Sequence, residues 1–237
     1  MWLESIRKQL DPANQALLSE SCLGVISRLP SYVFHAVVYQ ELLMRLDRTS
    51  LTSNTLSFVI HGETLQFGPM EFGLMCGLKF KGWYAPPVSS AFHDSMFDGR
   101  LDLTLFHLQE KFRMECGSRK RSGPTCLRLA WLNILYGVLL CRGPVTQSVD
   151  MEYFHLIDND EAFKTYPWGS VAYDFLIRST HENRDHLLRV LAGGARCRGD
   201  IIAPGLSITL LPWAYEVMPD LAALCETQED DRGERIP

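Results

Sequence analysis

The sequence predicts a mainly α domain of the α+β kind: a compact helical fold around a buried central helix, with one small β-hairpin. Three observations predict it. Apolar residues recur at helical spacing along most of the chain. Period-two alternation is confined to a stretch near residues 56–67. One long segment, beginning near Thr125 and running to Leu139, is apolar on nearly every face, as expected of a helix enclosed by others.

The elements follow in order. Asp11-Pro12 supplies an N-cap and a first-turn proline, and Leu17, Leu18, Cys22, Val25, Ile26 and Leu29 then predict one amphipathic helix ending at Pro30. Ser31 can cap a second helix through Val33, Phe34, Val37, Val38, Leu42 and Leu46. Leu56, Phe58 and Ile60, then Leu65 and Phe67, alternate about a His61-Gly62-Glu63 turn and predict the hairpin. Pro69 opens a brief helix that Gly77 can close with a left-handed cap.

From Lys79 to Gly99 the prolines, serines and glycines read as a surface loop. Helical spacing resumes from Leu101 to Cys116, a polar loop covers 116–124, and the central helix follows. Beyond Gly143-Pro144, the segments Val149–Ile157, Asp160–Thr165 and Ser170–Thr180 read as three helical pieces. A Gly-rich loop over 193–205, the segment Leu206–Leu211 and a last helix around Trp213–Val217 complete the pattern. With no long biased linker, residues 1–225 are expected to form one globular domain, and the charged tail 226–237 to be disordered. No internal repeat of 20 to 50 residues is present.

Composition narrows function. The 237 residues include 46% hydrophobic and 22% charged residues, values of an ordinary folded domain. A net charge of -5 removes the global attraction that a nonspecific nucleic-acid binder uses. Seven scattered cysteines, an odd number, fit buried reduced thiols in a nuclear or cytoplasmic protein. No apolar secretory segment opens the chain. The most apolar stretch, Leu127 to Cys141, contains Arg128 and Asn133 and is shorter than the roughly 20 residues that span a bilayer.

Candidate chemistry is sparse. No Cys-x-x-Cys pair exists, and His181 and His186 stand five apart without the zincin pattern, so no metal is expected. Cys141, His155 and Asp158 lie near one another in sequence, but a thiol ending an apolar helix reads as inert core. Asp158, Asp160 and Glu161 suit a helix start better than acid–base work. Gly193-Gly194 follows a helix rather than a strand, so no phosphate cradle and no cofactor is expected. The expectation is a nonenzymatic chain.

Two surface candidates remain. Arg119, Lys120 and Arg121 could contact nucleic acid, flanked by Lys111, Arg113 and Arg128; Arg189, Arg196 and Arg198 form a second small cluster. Tyr166, Pro167, Trp168 and Gly169 place two aromatics at a sharp corner, where they serve either as anchors for a protein partner or as wedges in the core.

A resemblance rests on blocks in fixed order. These are Phe58-Val59-Ile60-His61-Gly62, Phe67, and Glu71-Phe72-Gly73-Leu74-Met75-Cys76-Gly77-Leu78. Leu129 to Leu140 follows, then Leu156-Ile157-Asp158-Asn159-Asp160-Glu161-Ala162-Phe163 running into Tyr166-Pro167-Trp168-Gly169, then Trp213-Ala214-Tyr215-Glu216 with Pro219. Together, across roughly residues 30–222, they resemble a plant domain of unknown function, the family numbered nineteen eighty-five. The Phe163-x-x-Tyr166-Pro167-Trp168-Gly169 block is the most specific. Cys76 stands where a threonine is usual, and the stretch 79–99 matches poorly.

The resemblance implies no activity. It implies kinship with proteins of plant transposable elements, where such a domain often precedes a ubiquitin-like-protease domain, and a distant likeness to the plant mobile domain. The His, Asp and Cys blocks of that protease do not occur in this sequence. The resulting expectation is a noncatalytic protein-interaction module with an unidentified protein partner and no membrane role. The alternative is a nucleic-acid-binding accessory domain using residues 119–121.

Overall fold

A computed structural model describes residues 2–29, 36–47, 54–82, 89–117, 123–193 and 203–218. Within these, eleven α-helices and one two-stranded antiparallel hairpin make a mainly α fold, as the periodicities predict. Two compact units are formed. The first comprises Met1–Tyr32 and Cys76–Ala172, and the second Val33–Met75 and Tyr173–Pro237. Ser31, Arg119, Lys120, Arg121 and the 226–237 tail lie outside the described residues.

The first unit opens with α1 (Trp2–Gln9) and α2 (Pro12–Glu20). Asp11 caps α2 by accepting from the Ala13 and Asn14 amides at 3.0 Å. The single helix expected over 12–29 is broken: α3 is only Gly24–Ser27. At Gly24 an added Cβ would sit 2.0 Å from the Ser19 carbonyl oxygen. This close approach turns the chain where spacing alone predicts continuity.

The expected loop over 79–99 also needs correction, because Ala91–Phe97 forms α6. Ser90 accepts from the His93 amide at 3.1 Å, and Asp98 adopts left-handed backbone after the last turn. Phe92, His93 and Phe97 are buried, with His93 and Phe97 both edge-on to Phe154. This one-sided burial stabilises a helix too short to show several turns of periodicity.

α7 (Leu105–Cys116) and α8 (Pro124–Ile134) form the centre of this unit. α8 packs against α2, α7 and the 3-10 helix Met151–Asp158, and all its residues from Leu129 to Ile134 are buried. The buried central helix is therefore present. Its buried polar residue, Asn133, donates to the Leu108 and Leu129 carbonyls at 3.2 and 2.8 Å, which ties α8 to α7. A π-helical turn, Leu135–Leu139, continues α8, and the Leu140 amide reaches back to the Leu135 carbonyl at 2.8 Å.

The cysteines require a further correction. Cys116 at the end of α7 is joined to Cys126 in α8 by a disulfide in this structure, where the cysteine count predicts reduced thiols. Cys22, Cys76 and Cys141 are free.

In the second unit α4 (Ala36–Arg45) packs against β1 (Leu56–Ile60), which pairs with β2 (Glu63–Phe67) in the register Leu56 to Phe67 and Ile60 to Glu63. His61 and Gly62 both have positive φ, the signature of a tight hairpin turn. α5 (Pro69–Cys76) follows, and Gly77 has the predicted left-handed conformation at φ +65°. Phe58 and Phe67 pack on Trp213 of α11 (Leu210–Val217), while Phe72 lies against Tyr173. The Tyr173 hydroxyl reaches the Asn54 and Phe67 carbonyls at 3.1 and 3.0 Å.

Candidate functional site

The Tyr-Pro-Trp-Gly block is positioned by α9 (Asp160–Thr165), which precedes it, and by α10 (Trp168–Ala192), which begins inside it. Asn159 caps α9 by accepting from the Glu161 and Ala162 amides at 3.1 and 3.2 Å. Asp160 accepts from Arg128 Nε and Nη2 at 3.1 and 3.0 Å, which anchors the start of α9 to α8. Asp160 and Glu161 thus stand in the first turn of α9, as their placement predicts, whereas Asp158 ends the preceding 3-10 helix.

Phe163 stacks on Trp131 with ring centroids 4.7 Å apart and planes 9° from parallel. Trp168 packs against Phe163, Tyr166 and Tyr153 at 5.0, 4.8 and 5.5 Å, and its Nε1–H donates to the Phe163 carbonyl at 2.8 Å. Only 1% of Trp168 and 6% of Tyr166 is exposed, and Pro167 and Gly169 are buried as well. The corner is a core wedge, and little of either aromatic is left for a partner to grip.

The wedge closes on the segment 79–82, which sequence spacing leaves without structure. The Gly169 amide donates to the Lys79 carbonyl at 2.7 Å, and Ser170 Oγ donates to the Phe80 carbonyl at 2.8 Å. A Cβ on Gly169 would sit 2.7 Å from the Lys79 oxygen, and one on Gly82 would sit 2.2 Å from the Thr165 oxygen. Glycine is needed at both positions because two backbones meet there.

The other candidates are dispersed. Cys141 Sγ donates to the Gly143 carbonyl at 3.6 Å, and burial pushes its thiol pKa up, so the thiol is protonated and a poor nucleophile. Asp158 accepts from the Phe92 amide at 2.8 Å, which spends it on holding α6. Among the described residues, no group of three or more His, Cys, Asp and Glu is placed to hold a metal ion. None of the described helices is long and apolar enough to cross a membrane. Arg189 lines an open groove of about 380 Å³ with Asp185, Leu188 and Ala192 along α10, while Arg196 and Arg198 lie outside the described residues.

His181, on the same helix, is 6% exposed, and its Nε2 finds no hydrogen-bond partner among the described residues. Burial lowers its pKa, and the nearby Arg184 lowers it further. The unfolded chain therefore binds this proton more readily than the folded one, and stability falls as pH drops below about 6.5. Replacing His181 by glutamine is expected to flatten that part of the stability–pH curve, measured by urea denaturation in a buffer series. An unchanged slope would mean that other groups carry the acid sensitivity.

Sequence reasoning misses the exposed face of α5. Met70 and Leu74, one turn apart, are 74% and 80% exposed, a face that the sequence reading of a brief helix from Pro69 to Gly77 leaves unassigned. A signal was present: Glu71-Phe72-Gly73-Leu74-Met75 holds more apolar residues than one helix face can bury.

No curated protein and no solved structure matches the chain. A family model matches residues 48–179, more than half of its length, and spans the hairpin, α5, the central helix and the Tyr-Pro-Trp-Gly corner. By that match the chain belongs to the family described as domain of unknown function (DUF1985).

Proposed function

We propose that this chain is a noncatalytic protein-interaction module of a transposon-derived plant protein, acting in the nucleus or cytoplasm. The observation that carries the reading is the α5 face, where Met70 and Leu74, one turn apart, are 74% and 80% exposed. Exposed apolar side chains clustered on one helix face favour association, and methionine adapts its shape to a partner at low cost. The partner is a protein that offers apolar side chains to this face. The noncatalytic part is supported by the protonated Cys141 thiol and by the commitment of Asp158 to the Phe92 amide.

The test is affinity capture of the tagged chain from plant nuclear extract, with and without nuclease, beside a Met70→Ser/Leu74→Ser variant that melts at the same temperature. A stoichiometric protein partner that survives nuclease and falls at least about tenfold with the variant is expected, equivalent to about 1.4 kcal/mol of lost affinity. Equal capture by the variant would remove α5 from the account. Loss of every partner on nuclease treatment, with affinity collapsing between about 50 and 200 mM salt, would replace it with nucleic-acid binding through Arg119, Lys120 and Arg121.

A further inference from the structure

Cys116 is the last residue of α7, and Cys126 lies in the first turn of α8. Their Cα atoms are 5.7 Å apart, within the range that a disulfide spans without backbone movement. The bond closes a ring of short sequence separation, 10 residues, at the end of the α7–α8 pair where the chain passes from one helix to the next. Both residues are 3% exposed. The remaining described cysteines are free, and burial pushes the Cys22 and Cys76 thiols up to about 11, so they stay protonated and slow to exchange.

Seven cysteines are an odd number, and among the described residues three stay unpaired beside the one disulfide, a pattern that fits a reducing compartment, where a disulfide is transient or redox-sensing rather than permanent. We propose that Cys116 and Cys126 form a reversible thiol–disulfide couple that exchanges with a small-molecule thiol pool of the glutathione type and sets how firmly the last turn of α7 is held to the first turn of α8.

The exchange balances. One cysteine thiolate attacks glutathione disulfide, forming a mixed disulfide and releasing glutathione thiolate. The second cysteine thiolate then attacks the protein sulfur of the mixed disulfide and releases a second glutathione. Two protein thiols become one disulfide, one glutathione disulfide becomes two glutathiones, and the two thiol protons pass to the leaving thiolates. Both cysteines sit at helix ends, where a frayed last turn of α7 or first turn of α8 admits the reagent. The closed ring restricts the unfolded chain, so the oxidised form is expected to melt about 5–10 °C higher.

The test uses the full chain with Cys197 and Cys225, which lie outside the described residues, replaced by serine. It is equilibrated in glutathione buffers of graded poise, quenched in acid, denatured, alkylated with N-ethylmaleimide and weighed intact. Oxidising buffers should lower the uptake by two maleimides and link the peptides holding residues 116 and 126, and added glutathione should reverse both changes. Cys116→Ser should abolish the transition and the oxidant-dependent gain in melting temperature while melting near wild type in reductant. Constant uptake across all buffers, stable glutathione adducts in place of the link, or a link that persists in the most reducing buffer would each overturn the proposal.

Discussion

Replacing Gly169 by alanine is expected to lower the stability of the first unit by about 3 kcal/mol, near the upper end for overpacking a closed site. The added methyl would meet the Lys79 carbonyl oxygen at 2.7 Å, its carbon at 2.9 Å and the Phe80 ring at 2.8 Å. Two of these atoms are backbone, so no rotamer change relieves the clash. Either the first turn of α10 or the segment 79–80 must retreat, and retreat breaks the Gly169–Lys79 and Ser170–Phe80 hydrogen bonds. For a chain of this size the melting temperature should fall by about 6–12 °C. Thermal denaturation of Gly169→Ala beside Ser170→Ala separates the effects, since the serine change removes one hydrogen bond and should cost only about 1 kcal/mol. Equal melting of Gly169→Ala and wild type would mean that the two backbones do not meet.

Trp168→Ala is expected to cost still more, about 3–5 kcal/mol, because it empties a fully enclosed site and removes the indole donor from the Phe163 carbonyl. Phe163 would also lose a ring neighbour while keeping its stack on Trp131. Trp168→Phe retains most of the volume but not the donor, so it should fall between alanine and wild type. Urea denaturation of the three proteins checks the order. A Trp168→Ala variant within about 1 kcal/mol of wild type would place the indole on a yielding surface rather than in a close-packed corner.

What could be read in advance was local. His61-Gly62 and Gly77 need left-handed backbone within a few residues of an obvious apolar pattern, and both turns stand where that chemistry puts them. The all-round apolar character of α8 likewise announces its burial. The features that escaped depend on distant partners. α2 and α3 separate because Gly24 comes close to Ser19 and the chain bends there. α6 exists because Phe92 and Phe97 find a buried place and its first turn is held by Asp158, far along the chain. α10 runs twelve residues past Thr180, to Ala192, through His181, Glu182, Arg184 and Asp185, whose polar pattern gave little apolar period to follow.

The candidate site divides in the same way. Aromatics beside a proline and a glycine signal a corner, and residues 166–169 make one. Which side of the corner faces solvent depends on residues 79–82, which carry no periodic signal of their own. The Cys116–Cys126 pairing is spatial, and cysteine spacing among seven residues cannot select it. The exposed Met70 and Leu74 escaped because the sequence reading of a brief helix from Pro69 to Gly77 leaves its faces unassigned.

Tyr166, Pro167, Trp168 and Gly169 are buried in the first unit and form part of its core. Hydrogen exchange followed by NMR at the Trp168 indole Nε1–H and the Gly169 amide tests it most directly. Both donate to carbonyls inside the corner, to Phe163 and Lys79. These two protons are expected to exchange only on global unfolding, with the slowest protons of α8. Exchange of either within minutes in native buffer, while α8 stays protected, would contradict it and return Tyr166, Pro167, Trp168 and Gly169 to the surface as candidate contacts.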